Sequence, residues 1–289
     1  MKTWFIVVGI LVVLAVVITI RVRYELKTLQ RTDYILHTNK LPEGKQIKLA
    51  VISDLHNRHY GEKNGQLIEM IKEAKPDYIL AAGDLITASN RKEIEPVMDL
   101  LVELSQVAPV YYSPGNHEKR IAEEKADFPG LEEKFRKGLE QTNAVYLENK
   151  SVALDDNTIL AGLDIDYQFY DKLKRPSYEL LDFQKNLQEA DQKKFNILMA
   201  HSPKFFSTYA EAGYDLVFSG HYHGGAVRLP GIGGVISPQF VPFPKYSKGK
   251  YVLEKTTMLV SSGCGSHKVN LRLFNKPEVM VVEINGHCI

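Results

Sequence analysis

Five apolar runs of strand length, each closing on a cluster of Asp, His, Asn or Gly, constrain the fold of this chain most. They are "IKLAVISDLH" (47–56), "DYILAAGDLI" (77–86), "APVYYSPGNHE" (108–118), "FNILMAHSP" (195–203) and "YDLVFSGHYHGG" (214–225). Short apolar runs bounded by turn residues read as buried strands. Helical periodicity separates the first three. Leu67, Ile68, Ile71 and Ala74 share a face in 62–75. Ile94, Val97, Met98, Leu101 and Val102 share one in 92–105, with Pro96 near the first turn, where proline is tolerated. The charged stretch 117–140 predicts a surface helix broken at Pro129-Gly130. Strands alternating with helices give an α/β protein. From about residue 144 the pattern becomes strands joined by polar turns at 148–150 and 155–157, with two more strands in "TTMLVSSG" and "EVMVVEI". A pair of mixed sheets fits this better than one doubly wound sheet.

The N-terminus obeys a different rule. "WFIVVGILVVLAVVITI" (4–20) carries no charge over 17 positions, the short end of the roughly 17–25 residues that span a bilayer. A cleaved signal peptide has a shorter apolar core, about 7–15 residues, and small residues at its cleavage site. Here Thr19-Ile20-Arg21-Val22-Arg23 closes the run. The expectation is therefore an uncleaved single-pass anchor over 1–23, a juxtamembrane connector with extended stretches over 24–45 ended by Pro42 and Gly44, and a main domain over 46–289. Trp4 suits the membrane interface. Arg21, Arg23, Lys27 and Arg31 follow the span, and only Lys2 and the amino terminus precede it. The positive-inside rule thus favours a cytoplasmic main domain, on one count that leaves the membrane side open. With 36 basic against 35 acidic residues and a net charge of +1, the chain lacks the positive excess of nucleic-acid-binding domains, and no nucleic-acid partner is expected. Cys264 and Cys288 form neither a disulfide framework nor a zinc knuckle; they read as two ordinary thiols.

The strand ends offer Asp54, His56, Asp84, Asn116, His117, His201, His221 and His223. In an α/β sheet the C-terminal strand ends lie along one edge, where ligands bind. Residues i and i+2 of an extended segment point the same way. Asp54 with His56, and His221 with His223, are thus each expected to deliver two ligands to one spot. Asp84 offers a carboxylate able to bridge two cations, and Asn116 a neutral carbonyl oxygen. Carboxylate and imidazole suit first-row divalent ions such as Mn, Fe and Zn. Two such ions about 3.5–4 Å apart clamp a phosphoryl group and lower the pKa of a water between them. Gly83, Gly115, Gly220, Gly224 and Gly225 are expected to let the backbone turn tightly beside these residues.

"SDLH", "GDLI", "GNHE", "AHSP" and "GHYHGG", in this order, resemble the signature of the calcineurin-like metallophosphoesterases over roughly 50–285. The resemblance implies a four-layer αββα sandwich: two mixed sheets face to face, with helices on both outer faces. It implies that Asp54, His56 and His223 hold one ion, that Asn116, His201 and His221 hold the other, and that Asp84 bridges both. His117 would contact the phosphate and protonate the leaving oxygen, while a metal-activated hydroxide attacks phosphorus in line. Tyr222 stands where the family often has Thr. The N-terminal span, "GHYHGGAVRLPG" and the late "SSGCG…LRLFNKPEV" also resemble the membrane-associated bacterial branch, some of whose members release UMP from UDP-diacylglucosamine. The substrate implied lies at or near the membrane, such as a lipid-linked phosphoester or pyrophosphate. Two other readings stand beside it: a non-catalytic metal-site scaffold that binds a protein partner, and a tethered phosphodiesterase for soluble nucleotides.

Other residues carry weaker expectations. Arg58 and Arg228 are solvated charges or phosphate contacts, since a guanidinium fork matches phosphate geometry. His37 and His287 read as ordinary surface groups. His59, within a turn of the first motif, and His267, in a Gly-rich loop, are the two further histidines that can approach the ions. The stretch 166–178 mixes aromatic and basic residues and reads as a cap or an insertion. The Pro-rich, aromatic 237–251 reads as a packed loop or one lying against a bilayer.

Overall fold

A computed structural model describes residues 2–91, 93–171, 176–238, 240–266 and 270–287. Its strands form two six-stranded sheets. The first has the order β1 (Gln30–Thr38), β14 (Glu278–Gly286), β2 (Gln46–Ile52), β3 (Tyr78–Ala82), β4 (Val110–Ser113), β5 (Val145–Tyr146). The second has the order β12 (Gly249–Leu253), β13 (Thr256–Val260), β9 (Leu216–Ser219), β8 (Phe195–Ala200), β7 (Thr158–Leu163), β6 (Lys150–Asp155). A separate hairpin joins β10 (Val227–Leu229) to β11 (Gly233–Ile236). Both sheets are mixed. β2, β3 and β4 run parallel beside an antiparallel β14, and β8, β9 and β13 run parallel beside an antiparallel β12. The five apolar runs are β2, β3, β4, β8 and β9.

Alternation along these strands sorts side chains into three apolar layers, because successive residues face opposite sides of a sheet. Leu49 and Val51 of β2 pack between the sheets with Ile197 and Met199 of β8. Ala50 and Ile52 face the other way, onto α2 (Gly65–Ala74) and α3 (Glu95–Ser105). Leu198 and Ala200 face α6 (Leu180–Asn186) and α7 (Phe206–Glu211). Each fully buried aliphatic side chain contributes about 1.5–3 kcal/mol. The result is helix, sheet, sheet, helix, the expected four-layer αββα sandwich.

Leu67, Ile68, Ile71 and Ala74 of α2 are all buried, as their spacing predicts. In α3, Val97, Met98 and Leu101 are buried, but Val102 faces outward and Leu100 and Leu104 take its place. The expected surface helix over 117–140 is two: α4 (Asn116–Glu123) and α5 (Leu131–Glu140). The break spans 124–130 and ends on left-handed Gly130.

The N-terminal region differs most from expectation. α1 (Lys2–Lys27) runs past Arg23. Its segment Thr3–Lys27 is long and apolar enough to cross a membrane by length and composition, with none of its most apolar window buried. The stretch 24–45 is more than a connector, because β1 pairs in parallel with β14 from Gln30↔Glu278 to Thr38↔Gly286. The extended stretches expected here include β1, but its pairing with β14 is not legible in a strand that has only one face on the core. Edge strands of this kind carry charged residues that resist further pairing. Glu25, at the end of α1, is fully buried and accepts a hydrogen bond from Asn275 N–H at 2.7 Å.

Candidate metal centre

The loops after β2 and β3 continue beside each other beyond the strands. Asp54 N–H donates to Gly83 O at 2.9 Å, and His56 N–H donates to Asp84 O at 3.1 Å. From the second sheet, Gly220 N–H donates to His201 O at 3.0 Å. His221 N–H then donates to Asp54 Oδ1 at 3.0 Å, which fastens the two sheets' loops together.

The convergence has a different cause from the one the spacing predicts. Asp54 (φ 48°), His56 (51°), Asp84 (54°), His221 (71°) and His223 (51°) are all left-handed, so neither Asp-x-His nor His-x-His is extended. Side chains are brought together by tight left-handed turns, not by strand alternation. Each such residue costs roughly 1–3 kcal/mol and persists only where surrounding packing imposes it, a pattern typical of functional sites. The glycines divide into two kinds. Gly83 is left-handed (φ 86°), and a Cβ there would lie 2.5 Å from His201 Nδ1. Gly115 and Gly220 have no such backbone need; a Cβ on either would collide with the carboxylate of Asp84 or Asp54.

Three groups of ligand-type atoms result, each lying mutually within 4.8 Å: Asp54, His56 and His223; Asp84, His201 and His221; and His56, Asp84 and His117. His223 Nε2 is 3.3 Å from Asp54 Oδ1, and His56 Nε2 is 3.1 Å from His223 Nε2. His201 Nε2 is 3.1 Å from Asp84 Oδ2 and 3.6 Å from Asp54 Oδ1. His221 Nδ1 faces Asn116 Oδ1 at 2.7 Å. His56 Nε2 lies 3.9 Å from a carboxylate oxygen of both Asp54 and Asp84. All eight residues singled out in the sequence thus meet at one place.

Hydrogen-bond partners fix the ring tautomers. Carbonyl oxygens accept at Nδ1 of His201 (Ala82 O, 2.8 Å) and of His223 (Gly265 O, 3.2 Å). Both rings therefore carry a proton on Nδ1 and turn Nε2 toward the carboxylates, an arrangement shared by metal-binding histidines. His117 is the reverse. Ala88 N–H donates to its Nδ1 at 2.8 Å, so its proton sits on Nε2. A ring held that way donates from Nε2 and does not ligate through it.

Burial holds His117 and His223 below the usual histidine range, and His221 well below it, so these rings are neutral. Burial also lowers His201, but Asp84 and Asp54 outweigh it and raise the ring to about 10. Asp84 is held well below the carboxylate range by His201, His117 and His56, against the opposing effect of its burial. The site thus concentrates negative charge, which a proton on His201 and the buried guanidinium of Arg272 help to offset. His201 Nε2 sits fully buried near Asp84 Oδ2 without hydrogen-bond geometry. Two buried carboxylates, an orphaned imidazole nitrogen and inward neutral rings fit a pair of divalent cations, and this is a candidate dimetal site.

Two bracing side chains carry no role in the sequence reading. Glu118 is buried, and its carboxylate accepts from Asp84 N–H (2.9 Å), Gly115 N–H (2.9 Å), Ile86 N–H (3.1 Å) and Tyr112 O–H (2.5 Å). It locks the β3 and β4 loops together. Burial and the charge of Asp84 push it up to about 7. Its place at the third position of α4 is the legible signal, since Glu there commonly reaches back to the helix start. Arg272, also buried, donates to Ser262 O (2.7 Å), Gly263 O (3.1 Å) and Gly265 O (2.6 Å), stiffening the loop behind Asp54 and His223. No local pattern marks it.

A cavity of about 310 Å³ opens beside the cluster, lined by His56, Asn57, Arg58, His59, Ser266 and Asn270. Arg58 is tied back to Leu26 O of α1 at 2.7 Å. Arg228 donates to Gly224 O at 3.1 Å and Ser247 Oγ at 3.2 Å. His37 packs against the ring of His287. From the 166–178 stretch, Tyr170 stands over His221, with ring centroids 5.3 Å apart. Cys264 is buried, and burial pushes its thiol up to about 12. His267, Cys288 and residues 172–175 lie outside the described residues.

Comparison with known proteins gives a matching family model, calcineurin-like phosphoesterase, over residues 47–225. A protein of Aquifex aeolicus (strain VF5) described as an uncharacterized metallophosphoesterase is 29% identical over 261 residues, covering 88% of this chain and 90% of that one. The metallophosphoesterase YkuE of Bacillus subtilis (strain 168), also described as uncharacterized, is 28% identical over 266 residues, covering 89% and 86%. Phosphodiesterase YaeI of Escherichia coli (strain K12) is 25% identical over 240 residues, covering 82% of each.

Proposed function

The chain belongs to the calcineurin-like phosphoesterases, and on that premise we propose that it is a membrane-anchored hydrolase of phosphoesters or pyrophosphates presented at a bilayer surface. Asp54, His56 and His223 would hold one divalent ion and Asn116, His201 and His221 the other, with the Asp84 carboxylate available to both. Mn, Fe and Zn all suit this ligand set. When bound, the two cations supply charge neutralisation at the phosphoryl group and lower the pKa of a water.

The protein's own residues do the rest. His201 and His223 keep Nε2 directed inward through their bonds to Ala82 O and Gly265 O. Asp54 and Asp84 orient those rings by charge. His117 supplies the proton to the leaving oxygen, a step typically worth 10²–10⁴-fold in rate. The observation that carries this reading is the bond from Ala88 N–H to His117 Nδ1, which leaves the ring proton on Nε2 beside the cluster. Anchoring through α1 is supported by its apolar length and by the attachment of its end to the site loops through Arg58 and Glu25. The main domain is proposed to begin with β1 rather than at residue 46, since β1 completes the first sheet.

The test is metal analysis of full-length protein together with turnover of an aryl phosphodiester. Two ions per chain and activity abolished by chelation are expected. His117→Ala should keep both ions and lose about 10²–10⁴-fold in rate. Unchanged turnover in that variant would remove His117 from the chemistry.

A further inference from the structure

Outside α1, every exposed phenylalanine among the described residues is Phe240, Phe243 or Phe274 (67%, 65% and 50% exposed). All three lie around the β10–β11 hairpin. Phe243 N–H donates to Val235 O of β11 at 2.9 Å, and Phe240 belongs to the same returning loop. Phe274 lines a shallow depression with Leu229 and Ile232, and Ile232 at the hairpin tip is 62% exposed. Single exposed apolar residues are ordinary; five gathered around one hairpin, counting Leu229, are not. The backbone adds an independent sign. Phe240 (φ 63°), Phe243 (43°) and Phe274 (57°) are all left-handed, a conformation unusual for a bulky side chain. Strain of this kind persists only where surrounding structure imposes it, and it clusters at functional sites.

We propose that this platform rests in the interfacial layer of a lipid bilayer beside α1, as a second membrane contact. The inference depends on α1 spanning that membrane. Its occupant is argued from continuity. The guanidinium of Arg21, directly after the uncharged run, lies 5.4 Å from the ring centroid of Phe274. The ammonium of Lys276 lies 5.1 Å from the ring of Tyr24 in the same turn of α1. Phe274 therefore sits level with the end of the apolar span. Lys276, together with Lys245 over the ring of Tyr246, sets basic groups beside the aromatic rings. Aromatic rings backed by basic side chains are what a bilayer interface with anionic headgroups accepts.

The consequence for the site is direct. β10 begins four residues after His223, and Asn275, beside Phe274, donates from its side chain to His223 O at 2.6 Å. Platform and ligand loop are one mechanical unit, so lipid contact at the platform holds the cavity mouth against the surface that presents substrate.

The test uses full-length protein with Cys288→Ser and an environment-sensitive nitrobenzoxadiazole label on Ile232→Cys. Parallel proteins carry the label on Val17→Cys, within α1, or on Leu181→Cys, on α6. Each is reconstituted in phosphatidylcholine–phosphatidylglycerol vesicles containing a lipid with a nitroxide near the headgroup end of its acyl chain. Loss of most fluorescence at 17 and 232, with none at 181, is expected. Loss at 17 without loss at 232 overturns the platform and leaves the anchor standing. No loss at 17 overturns both. A label at 232 that is shielded only as protein concentration rises, without nitroxide quenching, assigns the platform to a second copy of the chain and also overturns the proposal.

Discussion

Metal uptake should expel a proton from His201, and the size of the effect follows from the site. Asp84 and Asp54, with carboxylate oxygens 3.1 and 3.6 Å from His201 Nε2, hold the metal-free ring protonated up to about pH 10. A ligand nitrogen must be neutral. At pH 6.5 the ring is about 3.5 pH units below its midpoint, so removing its proton opposes metal binding by ~5 kcal/mol at 1.36 kcal/mol per unit. The sign is fixed. The proton competes with the cation below pH 10, so overall affinity for the ion pair rises about tenfold per pH unit from pH 6 to 9 and levels off above the ring's midpoint. His221 and His223, lowered by burial, contribute little to this release. The assay is calorimetric titration of metal-depleted full-length protein with Mn²⁺ at pH 6.5, in two buffers of different protonation enthalpy. At least one proton per chain is expected on full loading, and His201→Gln should lower the release by about one. Uptake of two ions with no proton released, or the same release in the variant, would refute the account of the charge in this site.

Three further outcomes follow from the same geometry. Gly83→Ala places a Cβ against the His201 ring on a left-handed backbone; thermal unfolding should show a loss of about 1 kcal/mol or more from the backbone alone, and metal analysis should show weakened loading. Glu118→Ala strands the N–H groups of Asp84, Ile86 and Gly115 in a buried place; at about 1–3 kcal/mol each, denaturant titration should show a loss of ~3 kcal/mol or more, with metal affinity down roughly 10–100-fold. Glu25→Leu removes the acceptor of Asn275 N–H and the partner of Arg21; protease nicking between α1 and β1 should become faster, and unchanged cleavage would mean that α1 is not held by this bond.

The sequence alone carries the chemistry of the site. Five apolar runs with His, Asp or Asn at their ends state which strands are buried and which side chains are spared for ligands, because both are local properties of residue type and order. The same holds for the uncharged run of α1, whose length and composition suffice. Tertiary packing decides what local pattern cannot express. Asp54, His56, Asp84, His221 and His223 converge through left-handed turns, a backbone state that neighbouring strands impose and that Asp or His alone does not announce. β1 is a strand because β14, almost 250 residues later, offers its edge. Glu118, Arg272 and Asn275 matter only through carbonyls and amides brought beside them by folding. Long-range pairing, buried hydrogen-bond partners and imposed backbone strain are properties of proximity in space, and order along the chain does not contain them.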